Sequence, residues 1–189
     1  MMNNFDIFKI LKSYMKLHMI HNMGLCKLVD AILFFFFLLI AVVAPLIDAQ
    51  TCLPLHMFPD FLVDLKSWYA REYGDYLIVE KPGFFVGIVW LELLLQWPLS
   101  IANLYGIVAK KSWMKTTCLI YGVSTLSTMV AILGELMGSG KTSDKLLKMY
   151  FPFLGFTVLA ILRGVVPQSN KASSDKLSRP MMDRKKRID

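Results

Sequence analysis

The run Ile32-Leu33-Phe34-Phe35-Phe36-Phe37-Leu38-Leu39-Ile40 is the strongest constraint on what this chain can fold into. It holds no charge and no hydroxyl, and the apolar stretch around it extends from about Ala31 to Leu53. A bilayer core takes roughly 20 apolar residues of helix. Three further stretches reach or nearly reach that length: about Phe84 to Ala109, Met114 to Met137 and Leu146 to Val166. None alternates apolar with polar positions, so transmembrane β-strands of about 10 residues fit poorly. Lipid offers the backbone no hydrogen bonds, and each stretch must satisfy its own as a helix. The expected fold class is all-α, a polytopic membrane protein built as a four-transmembrane-helix bundle. The charged fraction of 19% agrees, since soluble domains hold about 25%.

Several other classes drop out. Cys26, Cys52 and Cys118 are widely separated and odd in number, which argues against a disulfide scaffold. His18, His21 and His56 have no ligand spacing with them, so no metal site is expected. No cofactor is expected either. Gly138-Ser139-Gly140-Lys141-Thr142 looks like part of a phosphate loop, but that motif needs a glycine where Glu135 stands and a strand before it. The segment is better read as a polar turn between two membrane helices.

Three regions are expected. Residues 1–27 form a basic tail, residues 28–166 the membrane domain, and residues 167–189 a basic, polar, disordered tail. In the first, Phe8, Leu11, Met15 and Met19 share one helical face and Lys9, Lys12 and Lys16 another, a pattern suited to an anionic membrane surface. A plain disordered tail is the simpler alternative. A cleaved signal peptide is disfavoured, because the apolar run is too long and Pro45 and Asp48 stand where small residues belong.

Basic residues set the orientation. They crowd the two tails and the connection carrying Lys110, Lys111 and Lys115, and are fewer around Lys66, Arg71, Lys81, Lys141, Lys145 and Lys148. The positive-inside rule then puts both termini in the cytosol. Most of the net charge of +7 lies in this asymmetry. The basic residues are scattered over juxtamembrane segments, so no nucleic-acid partner is expected. The terminal Lys185-Lys186-Arg187-Ile188-Asp189 is close to a dibasic retrieval signal for the endoplasmic reticulum, with Arg187 where lysine is usual. A stop-transfer charge cluster is an equal alternative.

Acids inside the apolar stretches are the candidate functional groups. A carboxylate at the bilayer centre costs about 2.5–3.5 kcal/mol on insertion scales, and defaults to a functional reading. Glu92 lies roughly 12 Å inside its helix, with Gln96 one turn on. If the first helix continues to Leu53, Asp48 lies roughly 7.5 Å from its end. Pro45 can bend the helix just before it. Both acids approach the same membrane face. Brought together in an apolar pocket, they would share one proton and one net negative charge. Such a site suits a cationic amine, or a hydroxyl on a bulky apolar body. The bland alternatives are a polar contact from Glu92 to Gln96, Thr125 or Thr128, and a helix-end charge at Asp48.

Asp30 is expected to cap a helix N-terminus, and Glu135 to be merely solvated at a helix end. The loop from about Pro54 to Gly83 carries Leu62, Leu65, Trp68 and Tyr69 at helical spacing, which predicts an interfacial helix. Asp75 follows it, as a loop cap or a bound acid. Gly122, Ser124, Thr125, Ser127 and Thr128 make the third span small and hydroxyl-rich, which favours close helix packing.

Three blocks of residues together carry a resemblance. They are Asp48-Ala49-Gln50 followed by Leu53-Pro54; Trp68-Tyr69-Ala70-Arg71-Glu72-Tyr73 followed by Asp75; and Glu92-Leu93 with Gln96 and Pro98. In order and spacing the chain resembles the sigma-2 receptor, or transmembrane protein 97, family, from about Leu28 to Arg163. That family sits in the EXPERA superfamily with the emopamil-binding sterol Δ8-Δ7 isomerase.

The resemblance implies a four-helix protein of the endoplasmic reticulum membrane, usually a homodimer, with a pocket open to membrane lipid. It implies binding of sterols or cationic amphiphilic small molecules, and a role in cholesterol homeostasis that includes a Niemann–Pick type C-like sterol transporter as partner. Asp48 would pair with the ligand amine and Glu92 would be its protonated neighbour. Asp75 would serve structure and affinity together, and Gln96 would line the cavity. Phe85, Val89, Tyr121, Thr128 and Tyr150 would form the wall. Phe153 departs from the tyrosine expected beside the pocket. The isomerases of this superfamily carry a histidine four residues before the first acid, where this chain has Ala44. Binding is therefore the expected function, and a sterol isomerase using the same two carboxylates the alternative.

Overall fold

A computed structural model describes residues 4–166, with side chains from residue 24 onward. The helical faces expected of Phe8 to Met19 and the tail 167–189 lie outside the described residues. Helix α1 (Asn4–Leu46) contains the first span. It is followed by a 3-10 turn at Asp48–Thr51. The connection then holds α2 (Asp60–Tyr73) and the short α3 (Tyr76–Glu80). The second span is compound: α4 (Gly83–Leu91), a π turn (Glu92–Gln96) and α5 (Trp97–Val108). Helices α6 (Met114–Gly138) and α7 (Asp144–Val165) complete the bundle. Among the described residues, four segments are long and apolar enough to cross a membrane: Gly24–Thr51, Gly83–Val108, Met114–Gly138 and Asp144–Val165. The chain is thus an all-α polytopic membrane protein, as expected.

Helix α1 packs on α5 and α7, while α6 packs on α5 and α7, so the four spans close a ring. On α1 the inward residues are Leu33, Phe36, Phe37, Ile40 and Ala44, the spacing of one helical face. Phe35, Leu38, Leu39 and Val42 point outward. Phe36 stacks on Phe156, and Phe37 meets the Tyr121 ring edge-on at 4.9 Å. A second apolar cluster fills the other end of the bundle, from Leu77, Phe85, Val89, Ile132, Leu133, Leu136 and Leu146.

Helices α6 and α7 touch through glycines. A Cβ on Gly122 would lie 2.7 Å from the Ile161 side chain, and one on Gly164 would lie 2.7 Å from Leu119. Small residues allow such backbone approach, which is how membrane helices associate without a hydrophobic drive. The small third span therefore packs as expected.

Two expectations need correction. Asp30 caps nothing, because α1 has already run from Asn4. It accepts two hydrogen bonds from the buried Arg163 guanidinium on α7, at 2.5 and 3.1 Å. A cation drawn into the bundle needs a partner there, and a bidentate carboxylate is a strong one. Glu135 is not merely solvated; it accepts a hydrogen bond from the Tyr76 hydroxyl at 3.1 Å. That bond, with the Lys141–Glu80 and Lys145–Glu72 ion pairs, ties the α1–α4 connection to the α6–α7 end of the bundle. The glycine–lysine segment after Gly138 is a turn with Gly140 at φ 66°, in keeping with the polar-turn reading.

Candidate functional site

The first span ends sooner than its hydropathy suggests. Pro45 lies in the last turn of α1, which stops at Leu46. A proline supplies no backbone N–H and breaks the regular ladder. Asp48 therefore does not sit in a helix running to Leu53. It opens the 3-10 turn Asp48–Thr51, and that turn packs against α4. Helix α4 ends at Leu91, and Glu92 begins the π turn. Pro98 has no N–H for the carbonyl one turn earlier, and the Trp97 N–H instead reaches back five residues to the Glu92 carbonyl. One extra residue is thereby lodged in the turn, a departure often found at functional sites. Asp48 and Glu92 lie within Coulombic reach of each other.

Lys66 is the group that sequence reasoning missed. It lies on α2 and is only 6% exposed. Its ammonium donates to the Ile47 carbonyl at 2.9 Å and to Thr51 Oγ1 at 2.7 Å. Those two acceptors flank Asp48 in the chain. Burial pushes the Lys66 ammonium down to about 8, and the Asp48 carboxylate opposes the shift. The Cys52 thiol, whose Sγ donates to the Val86 carbonyl, sits in the same field. Burial pushes it up, Lys66 and Lys81 pull it down, and Glu92 pushes it up. The site is thus two carboxyls and a lysine. The net negative charge expected from a proton-sharing pair alone does not describe it.

The other expected site residues divide into groups. Asp75 is fully buried and does both things considered for it. One oxygen caps α3 by accepting from the Leu77 N–H, and the other accepts from the Tyr150 hydroxyl at 2.8 Å. Burial pushes the Asp75 carboxyl up, against the pull of that hydroxyl. Phe85, Val89 and Tyr150 belong to one apolar cluster beside Leu77. Gln96 is buried but does not bond Glu92; it donates to Ser124 on α6 at 3.1 Å. The extra residue in the π turn is the reason the two do not stack as one α-helical turn would place them. Tyr121 lies in the other cluster, against Phe36 and Phe37. The buried Thr128 hydroxyl bonds its own helix at Thr125. Phe153 packs edge-on against Phe36 in the Tyr121 cluster.

Residues 61–164 match the family described as EXPERA (EXPanded EBP superfamily). The chain belongs to the EXPERA superfamily. Its EXPERA segment holds Lys66, Asp75, Glu92, Gln96 and Tyr150, while Asp48 precedes it. Among similar proteins, sigma intracellular receptor 2 of Xenopus tropicalis is 29% identical over 154 residues, covering 74% of this chain and 90% of that protein. The proteins of the same name from Homo sapiens and Macaca fascicularis are 33% identical over 91 residues, covering 48% of this chain and 52% of theirs. The likeness expected from the three sequence blocks is therefore found.

Proposed function

We propose that this EXPERA protein is a sigma-2-type intracellular membrane receptor that holds a sterol or cationic amphiphile between Asp48 and Glu92. The observation that carries the reading is the packing of the Asp48–Thr51 turn on α4, whose last residue Leu91 is followed directly by Glu92. Two carboxyls that meet in an apolar surround hold one proton between them, so one accepts and one donates. Lys66 already supplies a cation beside Asp48. A neutral hydroxyl on a rigid apolar body, as in a sterol, asks for no further charge balance and suits the cleft best. Phe85 and Val89 would line the greasy part, with Gln96, Tyr121 and Thr128 as further wall. Asp75 and Tyr150 would hold its shape by their shared hydrogen bond.

The relatives are named as receptors, and the reading gives the two acids no catalytic step. It puts both termini in the cytosol, on the basic-residue bias, and the protein in the endoplasmic reticulum membrane, on the family resemblance. A second copy of the chain and a Niemann–Pick type C-like sterol transporter as partners, and a role in sterol homeostasis, follow from the family resemblance.

Asp48→Asn and Glu92→Gln should each weaken binding of a radiolabelled sterol by about tenfold or more, or about 1.4 kcal/mol. The variants should elute as folded protein in detergent. Sterol should also appear by mass spectrometry in lipid extracted from the native chain and be depleted in both variants. Full affinity in either folded variant would falsify the assignment of the cleft.

A further inference from the structure

A cavity of about 300 Å³ lies between the Asp48–Thr51 turn, α2 and α3. Neither Asp48 nor Glu92 lines it. Its depth in the membrane follows from the chain. Gln50 lies in the turn that follows the end of α1, and Lys81 stands two residues before the start of the second span. Both therefore lie where the hydrocarbon gives way to lipid headgroups. Trp68, half exposed on the same helix as Lys66, fits the interfacial aromatic belt.

The floor of the cavity is polar and buried. Gln50 is 1% exposed. Its amide orientation is settled, because Nε2 donates to the carbonyls of Leu46 at 2.7 Å and Leu62 at 3.3 Å. A flipped amide would set its oxygen against two carbonyls. Oε1 is then left buried without a donor among the described residues. Lys66 shares the floor, and of its three ammonium protons two go to Ile47 and Thr51. Lys81, which also donates to the Gln50 carbonyl at 3.3 Å, Arg71 and Ser67 complete the polar lining. Leu55 and Val79 add apolar lining, and both are exposed.

We infer that this cavity binds the headgroup of a membrane phospholipid that offers phosphate oxygens together with an N–H or O–H donor. The phosphate meets Lys66, Lys81 and the planar fork of Arg71, which suits a phosphate bidentately. The donor, such as the ammonium of an ethanolamine headgroup, satisfies Gln50 Oε1. The acyl chains leave past Leu55 and Val79 into the bilayer. The site is independent of the sterol cleft proposed above, apart from Lys66, whose ammonium stands between the two.

The test is a titration of the full chain, purified in non-ionic detergent, read by native mass spectrometry. Dioctanoyl-phosphatidylethanolamine should give a one-to-one adduct. Dioctanoyl-phosphatidylcholine, which has no N–H, and dioctanoylglycerol, which has no phosphate, should each bind about tenfold more weakly. Arg71→Gln with Lys81→Gln changes two exposed side chains and should weaken the ethanolamine lipid by about the same factor, with the melting midpoint of the lipid-free protein unchanged. Equal binding of dioctanoylglycerol, equal binding of the choline lipid or an unaffected double variant each overturns the inference. Inorganic phosphate alone competing as well as the lipid would also overturn it, in favour of a free-phosphate site.

Discussion

Lys66 carries its charge into a buried place, and three oxygen-bearing neighbours hold it there. Ile47 and Thr51 accept its protons, and Asp48 supplies the field that keeps it charged. The cost of that burial is visible through pH. Between about pH 8 and 10.5 the folded chain has released the Lys66 proton that the unfolded chain still holds. Stability due to this group therefore rises with pH in that window, and below about pH 8 the whole penalty is present. The difference in melting midpoint between the native chain and Lys66→Met, measured at pH 7 and pH 9.5, should shift in favour of the native chain. A difference independent of pH would mean that Lys66 is not a buried ammonium. Asp48 and Glu92 were legible as candidates, because a carboxyl in an apolar run stands out by itself. Lys66 was not, because a lysine in a polar connection looks like any solvated charge until the helix carrying it is docked.

Elements show the same contrast. Helix α2 was legible from the spacing of Leu62, Leu65, Trp68 and Tyr69, but not which way it faces. Its inward residues are Leu62, Lys66 and Ala70, whereas Phe61, Leu65 and Trp68 point outward. Periodicity finds a stripe, and the solvent outside decides which stripe is turned in; beside a bilayer that solvent is greasy. The second, third and fourth spans fall within a few residues of their hydropathy limits, whereas α1 begins well before Ala31 and Pro45 stops it short of Leu53. The π turn had one sequence signal, Pro98, and no pattern that gives its register. The α6–α7 seam makes a sharper prediction. Gly122→Ala puts a methyl where Ile161 and its backbone already stand, and should destabilise the protein by about 1–3 kcal/mol. Gly134 on the same helix has open space around it. Gly134→Ala should be neutral or slightly stabilising, because alanine favours a helix over glycine by about 1 kcal/mol. Melting midpoints of the two variants side by side check this, and equal losses would contradict the close approach at Gly122.

At the scale of the whole molecule, the ring of four spans forces its connections to opposite ends. The links α1–α4 and α6–α7 meet at one end, through Tyr76–Glu135, Glu80–Lys141 and Glu72–Lys145. The α5–α6 link, with Lys110 and Lys111, and the Asp30–Arg163 pair mark the other end. Single cysteines in place of Glu80 and Lys141, in a chain freed of Cys26, Cys52 and Cys118, should react together with a membrane-impermeant maleimide in sealed vesicles. A cysteine in place of Lys110 should react only when the opposite face is opened. Labelling of all three from one side would break the four-span topology.

The extra residue held at Glu92–Gln96 has a consequence for the rest of that span. Each residue of an α-helix turns the chain by about 100°. Losing one from the widened loop of backbone would restore a regular coil and swing everything beyond it by nearly a third of a revolution. The Trp97 indole would leave the Ala41 carbonyl to which it donates at 3.0 Å, and Asn103 would turn away from Thr117. The second half of this span thus owes its bearing to a single surplus position, so a deletion there would act as a rotation rather than a shortening.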